Sequence, residues 1–436
     1  INDLNINLNI KMLVKFFKRK VLKKNKNIKI AIVSSSFPPF SHGGVSSSHY
    51  NLLLYMKKKS NFIVSGFSFY DFNNYHENDK ILNIKRSGTP LLFNKIFRMI
   101  IYLYYKIFDN GKASYQTADI LSNFIGSIIT GFKILRFKPD VIIVPDHGAP
   151  MFFIKIFNRN AKYIWVSHHN PMRFIKNPLI GSFSEKDAIF ATNIEKICIK
   201  DVHIVVCPSE YMKEIFKDTY KVNKEIRIIP NLVDIELLDE IKPALNKDVN
   251  IFRIFIPSGG SIIKGERYIF PIMQLINFML YKEYNFDKKI EFFISGIISE
   301  KLEYEIKNSN ISCTMLGKRE YKENLSILKS CDLTISPTVL ESFGMALLES
   351  VMLGVPVVTF DVGGNREIIK NGENGYLVKF LDIIQFSIQA SKLILNPLEK
   401  EKVRNFSRSY FHPDKIYKEW EAIIDELIKY SRKSNE

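Results

Sequence analysis

The sequence predicts an α/β protein of two doubly wound domains facing each other across a cleft, with a C-terminal helix docking back. Three observations predict it. Short, nearly continuous β-branched runs are bounded by turn residues, the pattern of strands buried on both faces of a parallel sheet. These runs alternate with longer stretches at helical spacing, as successive βα units require. The series then restarts at similar length after a polar, Pro-containing stretch, Pro243 to Asn250, which reads as a linker.

Taken in order, Lys29–Ser34 is the first expected strand, with Gly43 and Gly44 in the loop behind it and an amphipathic helix from Ser46 to Lys58. Further strands are expected at Phe62–Gly66, Val141–Val144, Tyr163–Ser167, His203–Cys207 and Ile226–Ile229. After the linker they fall at Arg253–Ile256, Glu291–Ser295, Cys313–Leu316, Leu333–Ser336 and Val357–Phe360. A last helix starts near Pro413–Asp414 and carries Ile416, Trp420, Ile423, Ile424, Leu427 and Ile428 on one face, so it must dock on something. The division is then 1–27 as a basic extension, 28–245 and 246–408 as the two α/β domains, and 409–436 as the helix packing back on the first domain. Because the chain starts at Ile1, its natural start is expected to be lost or replaced.

Composition narrows the classes of function. Of 436 residues, 46% are hydrophobic and 25% charged, which supports real cores and excludes a disordered, collagen-like or coiled-coil chain. Lys and Arg number 62 against 45 Asp and Glu, a net charge of +17, which points to a polyanionic partner. Cys198, Cys207, Cys313 and Cys331 form no CxxC pair and read as buried thiols in a reducing compartment. No apolar run is long enough to span a membrane, since Arg98 and Lys106 interrupt the candidate Phe97 to Phe108. In the extension, Ile10, Leu13, Val14, Phe17 and Val21 fall at helical spacing among Lys11, Lys15, Lys18, Arg19 and Lys20. That suits an anionic membrane surface or, equally, a solvated Lys-rich tail.

The segment richest in chemistry is Ser336-Pro-Thr-Val-Leu-Glu-Ser-Phe-Gly-Met-Ala-Leu-Leu-Glu349. Glu341 stands just ahead of a helix and Glu349 two turns later. The N–H groups of Phe343, Gly344 and Met345 lie at the helix's positive end, a seat for a diphosphate, and Gly344 permits close approach to the backbone. A carboxylate can accept hydrogen bonds from two vicinal hydroxyls. Two carboxylates flanking a phosphate seat fit a nucleoside diphosphate sugar. Downstream come Leu353-Gly-Val-Pro-Val-Val-Thr-Phe-Asp-Val-Gly-Gly-Asn-Arg-Glu367 and Asn371-Gly-Glu-Asn-Gly-Tyr-Leu.

From about Leu316 to Val378 the sequence resembles the retaining glycosyltransferases of family four, which have the GT-B fold of two Rossmann-like domains. The first half resembles them more loosely, through the Gly43–Gly44 loop and the strand ending in His168. The resemblance implies that Glu349 holds the ribose hydroxyls and Glu341 the transferred hexose, while the backbone from Ser342 and Phe343 through Gly344 and Met345 to Ala346 meets phosphate and sugar. It implies a catalytic role for His168, approaching the donor from the opposite domain. His169 follows directly, which leaves open which ring points inward. The family places an Arg and then Lys-Gly after the first strand of the second domain. Here Pro257-Ser-Gly-Gly-Ser-Ile-Ile-Lys264-Gly265 keeps Lys264 for the phosphate but lacks the Arg, for which Lys318, Arg319 or Arg366 could substitute.

No GxGxxG is present, so no nicotinamide cofactor is expected. No Asp-x-Asp and no His/Cys cluster occurs, so no metal is expected either. Asp146–His147 ends a strand at the ligand-collecting rim and is a candidate acceptor-side surface. The reaction expected is transfer of a hexose or N-acetylhexosamine, with retention, from a nucleoside diphosphate sugar to a hydroxyl of a glycan or lipid-linked acceptor. The basic excess and the stretches Phe93–Phe108 and Met151–Arg159 suit a cytoplasmic enzyme peripheral to the inner face of a membrane, in lipopolysaccharide, capsule or glycolipid synthesis. The rivals are another nucleotide-dependent sugar enzyme on a doubly wound fold and a catalytically silent nucleotide-sugar or glycan binder. Nucleic acid is not an expected partner, because no reading motif accompanies the lysines.

Overall fold

A computed structural model of the chain describes residues 28–40, 43–71, 76, 78–109, 115–177, 179–180 and 183–433. The basic extension 1–27, with its apolar-basic stretch at 10–21, lies outside the described residues. Two parallel sheets form the frame. The first holds β1 (Lys29–Ser34), β2 (Ile63–Ser68), β3 (Ile84–Lys85), β4 (Val141–Pro145), β5 (Lys162–Val166), β6 (Ile204–Cys207) and β7 (Glu225–Ile228) in the order β3-β2-β1-β4-β5-β6-β7. The second holds β8 (Ile251–Ile256), β9 (Lys289–Ser295), β10 (Cys313–Gly317), β11 (Leu333–Ser336), β12 (Val357–Phe360) and β13 (Gly375–Val378) in the order β10-β9-β8-β11-β12-β13. In each sheet the order reverses beside the first strand, β1 or β8, and ligands collect at such a switch point.

Burial on both faces explains the continuous apolar runs. Along β1, Ile30 and Ile32 pack with Leu52, Leu53 and Met56 of the helix Gly44–Lys59, whereas Ala31 and Val33 pack on the other face with Phe67, Ile134 and Trp165. Alternate residues thus serve opposite layers, and none can be polar without leaving an unpaired group inside. The stretch 241–250 carries neither helix nor strand.

The helix Pro413–Lys433 lies back on the first domain. Ile416, Trp420, Ile423, Ile424 and Leu427 are buried, each contributing about 1.5–3 kcal/mol by the usual side-chain transfer values. Tyr417 meets Tyr55 with ring centres 5.3 Å apart, and Arg227 reaches Glu426 at 3.3 Å. Sequence patterning missed two strands. β3 is only two residues long, and β13 begins inside the turn-rich Asn371–Gly375 stretch, where a run of four residues has no period to read.

Candidate active site

The second domain builds a narrow mouth at the carboxyl ends of β8 and β11. After β8 the chain turns through Ile262–Lys264 and leaves through Gly265 at φ +77°, a region costly for other residues. A Cβ on Gly265 would sit 1.8 Å from the carbonyl of Pro337, so the Lys-Gly turn lies directly on the loop after β11. Ile263 ties the two further: its carbonyl accepts from the Val339 N–H at 2.9 Å and from Thr338 Oγ1 at 3.1 Å. This strapping places Lys264 Nζ 2.6 Å from Glu341 Oε2. Burial alone would raise the Glu341 carboxyl, but Lys264, Arg173 and the Ser342 N–H outweigh it and hold the group below the usual carboxylate range.

Behind Glu341 the loop is clamped by Gly363, φ +52°, where a Cβ would lie 1.8 Å from the Glu341 carbonyl. The helix Met345–Met352 follows, capped by Gly344. No hydrogen bond among the described residues engages the N–H groups of Phe343, Gly344 and Met345. The hydrogen side of Gly344 faces Asn365 and Ile368, so glycine is required there for packing and backbone shape, not for ligand access from that side. The Phe343 ring is buried against Phe411, which leaves only its backbone for a ligand. Ser342 is half-buried, and its carbonyl accepts from Ser209 Oγ at 2.6 Å; Ala346, also half-buried, lies in the first helical turn. Glu349 sits further along the helix, half-buried, and accepts from Tyr321 Oη at 2.8 Å. Burial pushes its carboxyl up to about 7, against the Tyr321 hydrogen bond.

The first domain closes on this mouth from the other side. Gly43 is exposed at the start of its helix, and a Cβ on Gly44 would meet Met345 Cγ at 3.4 Å, so this loop faces the helix Met345–Met352. Glu210 N donates to Glu367 at 2.5 Å, and Asn177 Nδ2 donates to the Val339 carbonyl at 3.0 Å.

His168 lies just beyond the end of β5 and is buried. Its ring is 2% exposed, Nε2 meets Asn231 Oδ1 at 2.8 Å, and Nδ1 is buried without a partner beside His49. The ring is drawn inward because Asn231, anchored by Ser48 Oγ at 2.8 Å, offers its acceptor inside the domain. His169, next in sequence, is half-exposed and packs its ring 4.8 Å from Phe174 and 4.9 Å from His147.

Arg173 was missed by sequence reasoning. It is buried behind Phe174, whose side chain joins Leu340 in one apolar cluster, and its Nε has no partner. It lies close enough to Glu341 for the two charges to act on each other, although burial, the larger influence, lowers its own proton affinity. Of the substitutes named for the absent Arg, Arg319 is engaged by Glu323 at 2.6 Å and the Leu316 carbonyl, and Arg366 by Asp361 at 3.1 Å; Lys318 is exposed. The positions beside Lys264 are closed: a Cβ on Gly260 would lie 1.5 Å from the Ile297 carbonyl.

At the rim of the first sheet, Asp146 is not surface. Its carboxylate accepts from the N–H groups of His147, His169 and Asn170 and from Ser167 Oγ, so it anchors the loop after β5. His147 is partly exposed and lies 3.2 Å from Asp119. Asp119 also accepts from Arg98 Nη2 at 2.6 Å and Tyr70 Oη at 2.9 Å. Burial would raise the Asp119 carboxyl, but His147 and Arg98 bring it down to about 2. Burial would lower His147, and Asp119 more than reverses this, favouring its protonated form. No group of three or more His, Cys, Asp or Glu that could hold a metal occurs among the described residues.

Comparison with known proteins agrees with this architecture. The family described as "Glycosyl transferases group 1" matches residues 278–410, and "Glycosyltransferase Family 4" matches residues 120–237. The chain belongs to the family-four type of glycosyltransferase. It is 27% identical over 271 residues to an uncharacterized glycosyltransferase of Methanocaldococcus jannaschii, covering 59% of this chain and 68% of that protein. It is 25% identical over 200 residues to the UDP-Gal:alpha-D-GlcNAc-diphosphoundecaprenol alpha-1,3-galactosyltransferase of Escherichia coli, covering 44% of this chain and 48% of that enzyme. Among solved structures, sucrose-phosphate synthase from Thermosynechococcus elongatus superposes with a TM-score of 0.69 at 16% identity, over 92% of this chain and 100% of that one. This likeness shows the two-domain GT-B fold.

Proposed function

We propose that the protein transfers a hexose or N-acetylhexosamine from a nucleoside diphosphate sugar to a hydroxyl of a glycan or lipid-linked acceptor, with retention and without a metal ion. The observation that carries this reading is the Lys264–Glu341 pair at 2.6 Å, held at the mouth of the helix Met345–Met352, with Gly44 across the gap. In the free protein each charge satisfies the other. With donor bound, Lys264 and the N–H groups of Phe343 to Met345 take the diphosphate, and Glu341 turns to the sugar hydroxyls. Glu349 holds the ribose.

As the bond from the anomeric carbon to the phosphate oxygen breaks, charge grows on the departing diphosphate. Fixed donors aimed at that charge lower the barrier. The acceptor oxygen bonds to the anomeric carbon on the same face, and a phosphate oxygen takes its proton. Arg173, buried behind Phe174, adds positive potential at Glu341 and so favours its ionised form. His168 supports the β5 end from within, and His169 presents the ring at the rim.

The uncharacterized archaeal relative names no acceptor, whereas the Escherichia coli relative is named for a diphosphoundecaprenol-linked sugar. With the net charge of +17, that supports a lipid-linked acceptor and a place on the inner face of a membrane, in surface polysaccharide or glycolipid synthesis. The test is a panel of UDP-, GDP- and ADP-sugars scored for slow donor hydrolysis with and without chelator. One preferred donor and activity that survives chelation are expected. Loss of activity on chelation, restored by added metal, overturns the metal-free mechanism.

A further inference from the structure

Helix Leu91–Phe108 presents an unusual surface. Leu92, Met99 and Ile107 are 68%, 56% and 70% exposed, and Ile96 and Leu103 lie on the same stripe at helical spacing. Only Ile101 and Tyr105 are buried in the domain. Monomeric soluble proteins rarely leave so continuous an apolar strip open to water. Three further facts bear on what covers it. Lys95 and Lys106 are exposed on the flank of the stripe, and the chain carries a large positive excess, so the covering surface is anionic. At 18 residues the helix is about 27 Å long, and its three basic residues keep it from crossing a bilayer. Among the described residues no single helix is long and apolar enough to cross. Finally, Arg98, on the opposite side of the same helix, reaches inward to Asp119 and Tyr70 at the acceptor rim.

We propose that helix Leu91–Phe108 lies in the headgroup layer of an anionic membrane, apolar stripe inward, and thereby presents the rim of Asp119, His147 and Tyr70 to acceptors at that surface. This deepens the reading of a lipid-linked acceptor and rests on it. Lys95 and Lys106 extend toward lipid phosphates while their stems cover the edge of the stripe. At the helix's end, Lys186 Nζ meets the Phe108 carbonyl at 2.9 Å, and Ile189 and Phe190 are exposed one turn further along their own helix.

The experiment is co-sedimentation of the full chain with vesicles of phosphatidylcholine alone and of phosphatidylcholine mixed with phosphatidylglycerol. Binding to the mixed vesicles, weakened by salt, is expected. The variant L92E/M99E/L103E/I107E is expected to lower that binding at least tenfold while leaving solution hydrolysis of the preferred donor unchanged. K95E/K106E, which keeps the stripe, is expected to lower binding and flatten its salt dependence. Ile384→Glu, an equally exposed site on the second domain, is expected to change nothing. Undiminished binding by the four-residue variant would assign the contact to residues 1–27 and overturn the proposal. A dimer in size-exclusion that the same variant dissociates would do so too, by making a second copy the cover. Vesicle binding without any donor hydrolysis would leave this surface standing and remove the transferase reading instead.

Discussion

In the second domain, the groups at Lys264 and 341–345 are held by backbone closeness. The turn at Gly265 presses on Pro337, the loop at Gly363 presses on Glu341, and Ile263 gathers two donors from the chain opposite. In the first domain, the groups at the rim of the sheet are held by side chains. Tyr70, Arg98, Asp119 and His147 come from four separated segments and meet in one charged hydrogen-bonded cluster. On the function proposed above, a backbone-built mouth suits the one part common to all its donors, a diphosphate. A side-chain cluster can be altered one residue at a time, which on the same proposal would suit an acceptor that differs from enzyme to enzyme.

That difference also decides what could be read beforehand. Backbone closeness needs glycine at fixed positions, so Lys264-Gly265 and Gly363–Gly364 stand out in a linear sequence, and Glu341, Gly344 and Glu349 are spaced by a single helix. The strands were legible because burial on both faces makes continuous apolar runs. Arg173 was not legible, because its charge matters only once the loop after β5 is laid against Leu340. Asp119 was not singled out in the sequence, because only the fold brings Arg98 and His147 to it. Asp146 was misplaced because a polar residue at a strand end can point to the surface or into the loop that supports it. Only the partners, here the N–H groups of 147, 169 and 170, tell which.

The largest expected effect tests the second-domain side alone. Lys264→Ala should lower kcat/KM by roughly a hundred- to a thousandfold, the usual loss for one preorganised group aimed at transition-state charge. It also leaves Glu341 facing burial without its main partner, so that carboxyl should rise. Donor hydrolysis and transfer should fall together. A loss confined to transfer would place Lys264 on the acceptor side and erase the contrast drawn between the domains. Gly265→Ala should act on the same mouth through shape, lowering the melting temperature and donor affinity together, since the added Cβ meets the Pro337 carbonyl.

A smaller effect follows from Glu349. Burial raises its carboxyl to about 7, and if Glu349 holds the ribose as proposed, the ionised form is the one able to accept from both hydroxyls. Above that value donor affinity should be flat. Below it the group takes up a proton, and the apparent Kd for donor should rise by about tenfold per pH unit. Isothermal titration from about pH 5 to about pH 8, roughly two units below the midpoint to one above it, measures this directly. Glu349→Gln should bind weakly at every pH and remove the slope. A slope unchanged in that variant would move the titration to another group.

The smallest effect belongs to the first domain and is the sharpest test of the contrast. Asp119 is the common acceptor for Arg98, Tyr70 and His147. Asp119→Asn keeps its size but removes the charge that favours a protonated His147, so that ring should lose its proton at a lower pH than in the parent. Donor hydrolysis without acceptor should stay within about twofold, because nothing in the Lys264–Glu341 mouth touches Asp119. The KM for acceptor should rise about three- to tenfold, the scale of one charge-assisted hydrogen bond weakened at a partly exposed site. Following the His147 ring by NMR across neutral pH separates this from simple unfolding, since a structural loss would lower stability without selectively moving that titration. Equal losses in hydrolysis and transfer would mean that the rim and the mouth form one site, and that the division between a backbone-built and a side-chain-built half has no functional counterpart.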